Sequence, residues 1–221
     1  MTKDYTLSRD PVFYATVAFF ALLTTGLSSV LGQVRFLPIA QAVALTVLLW
    51  IPLRRRDLTG ALVTVFLWLA VAMLTVFAVT SFDPVQMERT FERGFEHRAA
   101  FSEWYYARSA LPASFGTQPV AAVVEVLGVV LGSLLTGGLV GAWFLMRLAN
   151  LAAFSAASLL LTLPNPLLIV VALPVWSLLQ VIGGGGLLAL LAEPLASGAF
   201  GAGIRELGRS RRRPLLIWGG L

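Results

Sequence analysis

Residues 58–82 read LTGALVTVFLWLAVAMLTVFAVTSF, and no side chain in this stretch carries a charge. A helix needs about 20 consecutive apolar residues to cross the hydrocarbon core of a bilayer, and this stretch exceeds that length. Asp57 directly precedes it and can accept a hydrogen bond from the first free backbone N–H groups of a helix. The stretch therefore predicts a transmembrane helix that begins at Leu58.

Similar apolar stretches lie on both sides of it. The first follows Asp10-Pro11, where the aspartate can cap a helix and the proline suits its first turn. Its length exceeds the apolar core of a signal peptide, so we interpret it as a retained span. We predict one domain, an all-α polytopic bundle with about six spans, at residues 11–32, 36–53, 58–82, 119–146, 148–163 and 167–192. The short fifth span could extend back to Gly141 or be re-entrant, so five or seven spans remain alternatives.

The composition excludes an ordinary water-soluble protein. The 221 residues are 58% hydrophobic and 12% charged, whereas a soluble domain carries about 25% charged residues. The net charge of +5 could indicate a nucleic-acid partner in a soluble protein. Here the arginines cluster beside apolar stretches, so we expect them to face the headgroups of a lipid bilayer and expect no nucleic acid as a partner.

The positions of the arginines predict the orientation. Short cytoplasmic loops are enriched in arginine and lysine, so the arginine-rich segments should share one side of the membrane. We expect both termini in the cytoplasm, with residues 204–221 as a basic tail, and the chain in the inner membrane of a prokaryote. The arginine bias, with Lys3 the only lysine, is typical of a GC-rich prokaryotic genome. The predicted anchors are Arg54, Arg55, Arg56, Arg147, Arg211, Arg212 and Arg213.

A charged segment, residues 83–118, interrupts the apolar stretches once. Asp83-Pro84 repeats the capping signal, and Gln86 stands where a capping box places its partner, so we predict a helix from Pro84 to about Ala110. We expect this helix to be amphipathic and to lie flat on the outer membrane surface, or alternatively to dock a partner. Its apolar and aromatic contact residues would be Met87, Phe91, Phe95 and Trp104.

Glu125 is the one acidic residue well inside a predicted span, where an ionisable group costs several kcal/mol unless it is paired or faces water. On a helix it shares a face with Gly128 and Gly132, whose spacing permits close helix contact. This face is either part of a proton- or cation-coupled pathway or a packing surface on which Glu125 snorkels or pairs. Arg147 could be its counter-charge, but the two lie far apart on one predicted helix, which favours an anchor.

Four consecutive glycines, Gly183, Gly184, Gly185 and Gly186, stand in the last apolar stretch. Each glycine costs about 1 kcal/mol relative to alanine in a helix interior, so we predict that the helix breaks there. Broken helices form substrate sites in transporters because their free backbone groups line a cavity. The other interpretation is a hinge or tight turn near the cytoplasmic headgroups.

The residue inventory excludes several kinds of chemistry. The chain has no cysteine and one histidine, so cysteine-ligated clusters, bis-histidine haem and three-histidine metal sites cannot form. No phosphate-binding glycine loop or serine-nucleophile motif is present. We therefore expect no cofactor and no metal, and enzyme activity is the least supported class.

Two functions remain. In the first, the protein is a non-catalytic subunit or scaffold of a membrane complex, with other membrane subunits or further copies of itself as partners. In the second, it is a small permease or transporter component with a pathway near Glu125 and the break at 183–186. The scarcity of polar groups within the spans favours the first, although a lipid-like substrate would escape that argument.

Overall fold

A computed structural model describes residues 10–32, 36–107, 119–163 and 175–196 of the chain. Within these ranges all regular structure is α-helical. The eight helices of this part are α1 Pro11–Leu31, α2 Phe36–Arg54, α3 Leu58–Phe82, α4 Pro84–Thr90, α5 Gly94–Ala107, α6 Pro119–Thr136, α7 Leu139–Thr162 and α8 Val175–Ala196.

Six of these helices are long and apolar enough to cross a membrane: α1, α2, α3, α6, α7 and α8. The prediction of an all-α, multi-pass membrane protein with six spans is therefore confirmed. The helix starts predicted at Pro11, Leu58 and Pro84 are also confirmed, since Asp10, Asp57 and Asp83 each cap the helix that follows. Their carboxylates accept backbone hydrogen bonds from Val12 at 2.9 Å, Gly60 at 2.9 Å and Gln86 at 3.0 Å.

Helix α7 lies in the middle of the bundle and packs against α2, α3, α6 and α8. Its buried side chains meet Trp68 of α3 and Leu188 of α8 in one core. The turn after α2 carries Arg54, Arg55 and Arg56, and we call this end of the bundle the arginine end. Helices α4 and α5 cover the opposite end, which we call the cap end.

The fourth span ends earlier than predicted. We expected it to run over 119–146 and to be followed by Arg147, but α6 ends at Thr136 and α7 begins at Leu139. The turn between them consists of Gly137 and Gly138, whose positive φ angles of 63° and 106° suit glycine. The carbonyl of Gly137 accepts a hydrogen bond of 2.7 Å from Trp50 Nε1, which fixes the turn at the arginine end. Arg147 consequently lies inside α7.

The predicted helix break at Gly183, Gly184, Gly185 and Gly186 is wrong, because α8 continues through all four residues. The glycines let α8 approach its neighbours closely. A Cβ atom on Gly185 would lie 3.0 Å from Leu69 and 3.3 Å from Val65 on α3. Close packing offsets the low helix propensity of glycine. The end of this span was predicted at 192, but α8 runs to Ala196. The predicted start at 167 and the predicted basic tail of 204–221, with Arg211, Arg212 and Arg213, lie outside the described residues.

The single outer helix predicted from Pro84 is two helices. Phe91 is extended and Arg93 has a φ of 59°, so the chain bends before Gly94 and α5 begins there. The bend lets the apolar side chains reach the bundle. Met87 is completely buried, and the Phe91 ring lies 4.7 Å from the ring of Phe154. The region of 108–118, including the predicted end near Ala110, lies outside the described residues.

Candidate binding site within the membrane

Two amide side chains pair in the interior of the bundle. Asn150 Nδ2 donates to Gln41 Oε1 at 2.6 Å, and Gln41 Nε2 donates to Asn150 Oδ1 at 3.2 Å. Gln41 Nε2 also donates to Thr25 Oγ1 at 2.7 Å. All three residues are buried, and they join α1, α2 and α7. We call these three residues the amide cluster, and its main effect is to hold these helices together in register.

A cavity of about 570 Å³ lies beside the amide cluster. It lies between α2 and α7, and it reaches α6 on one side and the bend between α4 and α5 at the cap end. Both ionisable and apolar side chains line it: Leu37, Pro38, Ile39, Ala42, Val43, Thr90, Phe91, Glu92, Glu125, Leu139, Val140, Trp143, Arg147, Asn150 and Leu151. Ile39 and Val43 are each 49% exposed, so the cavity opens to the lipid-facing side of α2.

Glu125 and Arg147 face this cavity from two antiparallel helices. Sequence reasoning separated them because it judged them too far apart along one helix; its alternative, a fifth span that extends back to Gly141, is closer to the observed start of α7 at Leu139. The glycine turn after α6 folds α7 back, so both side chains line the same cavity. No oxygen of Glu125 lies within the 4.0 Å of an ion pair from a nitrogen of Arg147, whereas the Arg147 guanidinium lies 5.0 Å from the centre of the Trp143 ring. The Glu125 carboxylate and the Arg147 guanidinium can therefore each form hydrogen bonds with a molecule in the cavity.

Both groups lie deep within the spans. At a helical rise of 1.5 Å per residue, Arg147 is roughly 12 Å from the start of α7, and Glu125 is roughly 9 Å from the start of α6. The hydrocarbon core of a bilayer is about 30 Å thick, so neither side chain lies at a helix end. The anchor role expected for Arg147 does not fit this depth.

The predicted glycine face of α6 contacts α7. A Cβ atom on Gly132 would lie 2.8 Å from the backbone nitrogen of Gly141, and one on Gly128 would meet the Phe144 ring. Without side chains at these positions, α6 and α7 pack closely along one another. This contact places Glu125 over the cavity wall formed by α7.

A second cavity of about 550 Å³ lies nearer the arginine end. It is lined by Val43, Thr46, Val47, Trp50, Ile51, Arg54, Thr136 and Leu139. The Arg54 guanidinium lies 5.2 Å from the centre of the Trp50 ring. Thr46 is 7% exposed, and its hydroxyl makes no hydrogen bond within the described part of the chain.

The cap, formed by α4 and α5, is fastened to α1 and α7. Gln86 Nε2 donates to the Val30 carbonyl at 3.1 Å, and the Tyr106 hydroxyl donates to the Thr162 carbonyl at 2.6 Å. His97 Nε2 lies 3.2 Å from Ser155 Oγ. Burial lowers the pKa of His97, which favours its neutral form. These contacts hold the cap against the mouth of the first cavity.

The cap residues that were expected to contact a partner divide into two groups. Met87 and Phe91 pack on the bundle, and the Trp104 ring lies 6.0 Å from the Phe101 ring. Phe95 is 65% exposed. The apolar stripe is therefore largely occupied by contacts within the chain.

Sequence reasoning missed the amide cluster and the contact between the Trp143 ring and the Arg147 guanidinium. Gln41 and Asn150 are uncharged, so a search for ionisable groups passed over them. Their signal was available, since an amide in the middle of an apolar span must find a hydrogen-bond partner there. Which partner each would find depends on how three helices pack, and one sequence does not give that.

No protein-family model matches the chain, and comparison with curated proteins and with solved structures gives no match either.

Proposed function

We propose that the protein is a carrier, or the membrane component of one, that binds an amphiphilic molecule in the cavity lined by Glu125 and Arg147. The observation that supports this proposal is the pair of opposite charges, which face one cavity deep in the membrane without a direct ion pair. A charge within a membrane span is costly and typically marks a pathway or a ligand site. An amphiphile with a polar group near these side chains would offset that cost.

The remaining walls suit the apolar part of such a molecule. Leucine, isoleucine, valine and proline side chains cover most of the α2 wall, and the cavity opens where α2 faces lipid. The ligand can therefore enter sideways from the bilayer. The guanidinium of Arg147 has five donors in a planar fork, which suits a carboxylate or a phosphate.

The competing proposal is a non-catalytic subunit or scaffold of a membrane complex. The observation that favours it is Phe95, a large apolar side chain that remains exposed on the cap. Two features that supported it are used within the chain instead, since Gly128 and Gly132 pack on α7 and Met87 is buried. The carrier proposal is therefore the better supported of the two.

The same proposal includes an orientation. The arginine end faces the cytoplasm of a prokaryotic cell in its inner membrane, both termini lie on that side, and the cap lies outside. Because the chain contains no cysteine, a single cysteine can be placed at Arg56 or at Glu103. An impermeant thiol reagent added to intact cells should label the cysteine at 103 and leave that at 56 unlabelled. The reverse pattern would overturn the orientation.

Native mass spectrometry after extensive detergent exchange tests the binding proposal. We expect one amphiphile per chain to remain bound to the wild-type protein. Arg147→Leu should lose it because the polar group of the ligand loses its donor, and Val43→Trp should lose it because the indole occupies the cavity. Val126→Trp is the matched control, since Val126 is exposed on α6 and does not line either cavity. A stoichiometric foreign polypeptide instead of an amphiphile would favour the subunit proposal.

A further inference from the structure

We propose that the two cavities form one groove along which a phospholipid headgroup moves between the two leaflets, so that the protein exchanges phospholipid across the membrane. This inference rests on the proposed function, and it adds a substrate class and a path. The headgroup class is one with a phosphate and an ammonium group, which complement Arg147 and Glu125. The acyl chains lie against the apolar α2 side of the groove and extend from there into the surrounding lipid.

The groove is continuous because the two cavities share wall residues. Val43 of α2 and Leu139 of α7 line both. Within their described lengths α2 and α6 hardly contact each other, because α7 lies between them and packs on both. The gap left between α2 and α6 is therefore open toward lipid, with α7 as its floor. The rim side chain Val47 is 62% exposed, which agrees with a lateral opening.

Polar side chains occur along the whole groove. Arg54 and Thr46 line its part near the arginine end, and Glu92 and Thr90 line its part at the cap end. Between them lie Arg147, Asn150 and Glu125. A polar headgroup crossing bare hydrocarbon would lose its hydrogen bonds, and groups placed at intervals replace some of them. The groove thus provides polar contacts from one end of the bundle to the other.

Thr46 supports this interpretation independently of the charged pair. A threonine within a membrane helix commonly donates to the carbonyl four residues earlier, as Thr64 and Thr75 do here at 2.7 Å each. The Thr46 hydroxyl makes no such bond in the described part of the chain, although it is more than nine-tenths buried and lines the second cavity. A polar group of a lipid passing along the groove would satisfy it.

Lipid exchange can be measured in unilamellar vesicles of phosphatidylcholine and phosphatidylglycerol that contain acyl-labelled fluorescent phosphatidylethanolamine. Dithionite bleaches the outer-leaflet probe at once, and the inner-leaflet probe only if lipids exchange. We expect vesicles with the full-length protein to lose nearly all fluorescence and protein-free vesicles to keep the inner-leaflet signal. Exchange that the protein does not accelerate would overturn the inference.

Two variants and their two matched controls locate the path. Val43→Trp should block exchange, whereas Val126→Trp should not. Thr46→Val should slow exchange about fivefold, the effect of one hydrogen bond lost at the barrier, whereas Thr75→Val should leave the rate unchanged. Each variant must first give a monodisperse particle with the wild-type melting temperature. Equal rates for Val43→Trp and wild type would overturn the inference, because exchange would then occur at disordered lipid around any protein.

The two proposals fail in different ways. If an amphiphile stays bound and depends on Arg147, but the vesicles show no accelerated exchange, the movement between leaflets is wrong and the binding site stands. If neither bound amphiphile nor exchange is found, both proposals are wrong.

Discussion

The amide cluster and the cavity lined by Glu125 and Arg147 lie side by side within the membrane, yet their polar groups are arranged in opposite ways. Gln41 and Asn150 satisfy each other in a reciprocal pair and are almost completely buried, although Asn150 also forms part of the cavity wall. Glu125 and Arg147 share a cavity of about 570 Å³ without a direct ion pair. Within a membrane, buried polar side chains that satisfy one another stabilise the fold, whereas charged side chains that share a cavity without pairing indicate a ligand site.

Removing one amide from the amide cluster should give the largest loss of stability. Gln41→Leu would leave the polar atoms of Asn150 and Thr25 without their partner in the interior, and we expect a loss of about 2 kcal/mol. Unfolding in a mixed-micelle denaturant titration measures this loss. Gln41→Leu with Asn150→Leu should recover part of it, because neither amide is then left unsatisfied. A single variant as stable as wild type would remove the structural role of the cluster.

Separating α6 from α7 should affect both regions. Gly132→Ala places a Cβ atom 2.8 Å from a backbone nitrogen of α7, so the helices must move apart at a cost of about 1.5 kcal/mol. Gly185→Ala is the matched control, since its Cβ would meet only side-chain atoms, at 3.0 Å or more. We expect the control to stay within about 0.5 kcal/mol of wild type in the same titration. Equal losses would mean that the two glycine contacts have equal importance.

Removing the Arg147 charge from the cavity should lower the affinity for the amphiphile and leave the free energy of unfolding nearly unchanged. Arg147→Leu should weaken the retained amphiphile about tenfold or more, since it removes hydrogen bonds from a charged donor. Competition in detergent with a labelled phospholipid measures the affinity. A strong loss of thermal stability with unchanged affinity would reverse the assignment, and Arg147 would then be structural.

The smallest effect concerns the cap and its histidine. Burial lowers the pKa of His97 in the closed cap below its ordinary value of 6.5. The His97 imidazole therefore binds a proton more tightly when the cap is open than when it is closed. Cap stability is therefore full above pH 6.5 and is lost as the pH falls toward the folded-state pKa. Hydrogen exchange of the α4 and α5 amides, compared between about pH 7.5 and about pH 5.5 after correction for intrinsic rates, should report faster opening at the lower pH. His97→Gln should lose this dependence, and its persistence would assign it to other groups.

The sequence predicted the six-span architecture because apolar length and capping aspartates are local signals. The break between α6 and α7 was misplaced because two local signals competed. Arg147 indicated a loop under the positive-inside rule, whereas Gly137-Gly138 indicated a helix end through their tolerance of positive φ. The glycines determine the turn, and Arg147 is accommodated by the cavity.

Tertiary contacts explain the other errors. The run of Gly183–Gly186 has low helix propensity, but contact with α3 keeps α8 helical. The cap bends at Phe91 so that this ring can reach Phe154, a contact between positions far apart in sequence. Neither contact partner can be identified from one sequence, and the same is true of the groove between α2 and α6.

Photo-crosslinking from position 43 tests the central claim most directly. A photoreactive residue replaces Val43 in one sample and Val126 in the control, and both proteins are purified through detergent exchange before illumination. The account predicts an adduct with the mass of an amphiphile at position 43, its loss when Arg147→Leu is added, and little adduct at position 126. A polypeptide adduct at position 43, or equal lipid adducts at both positions whatever stands at 147, would contradict it.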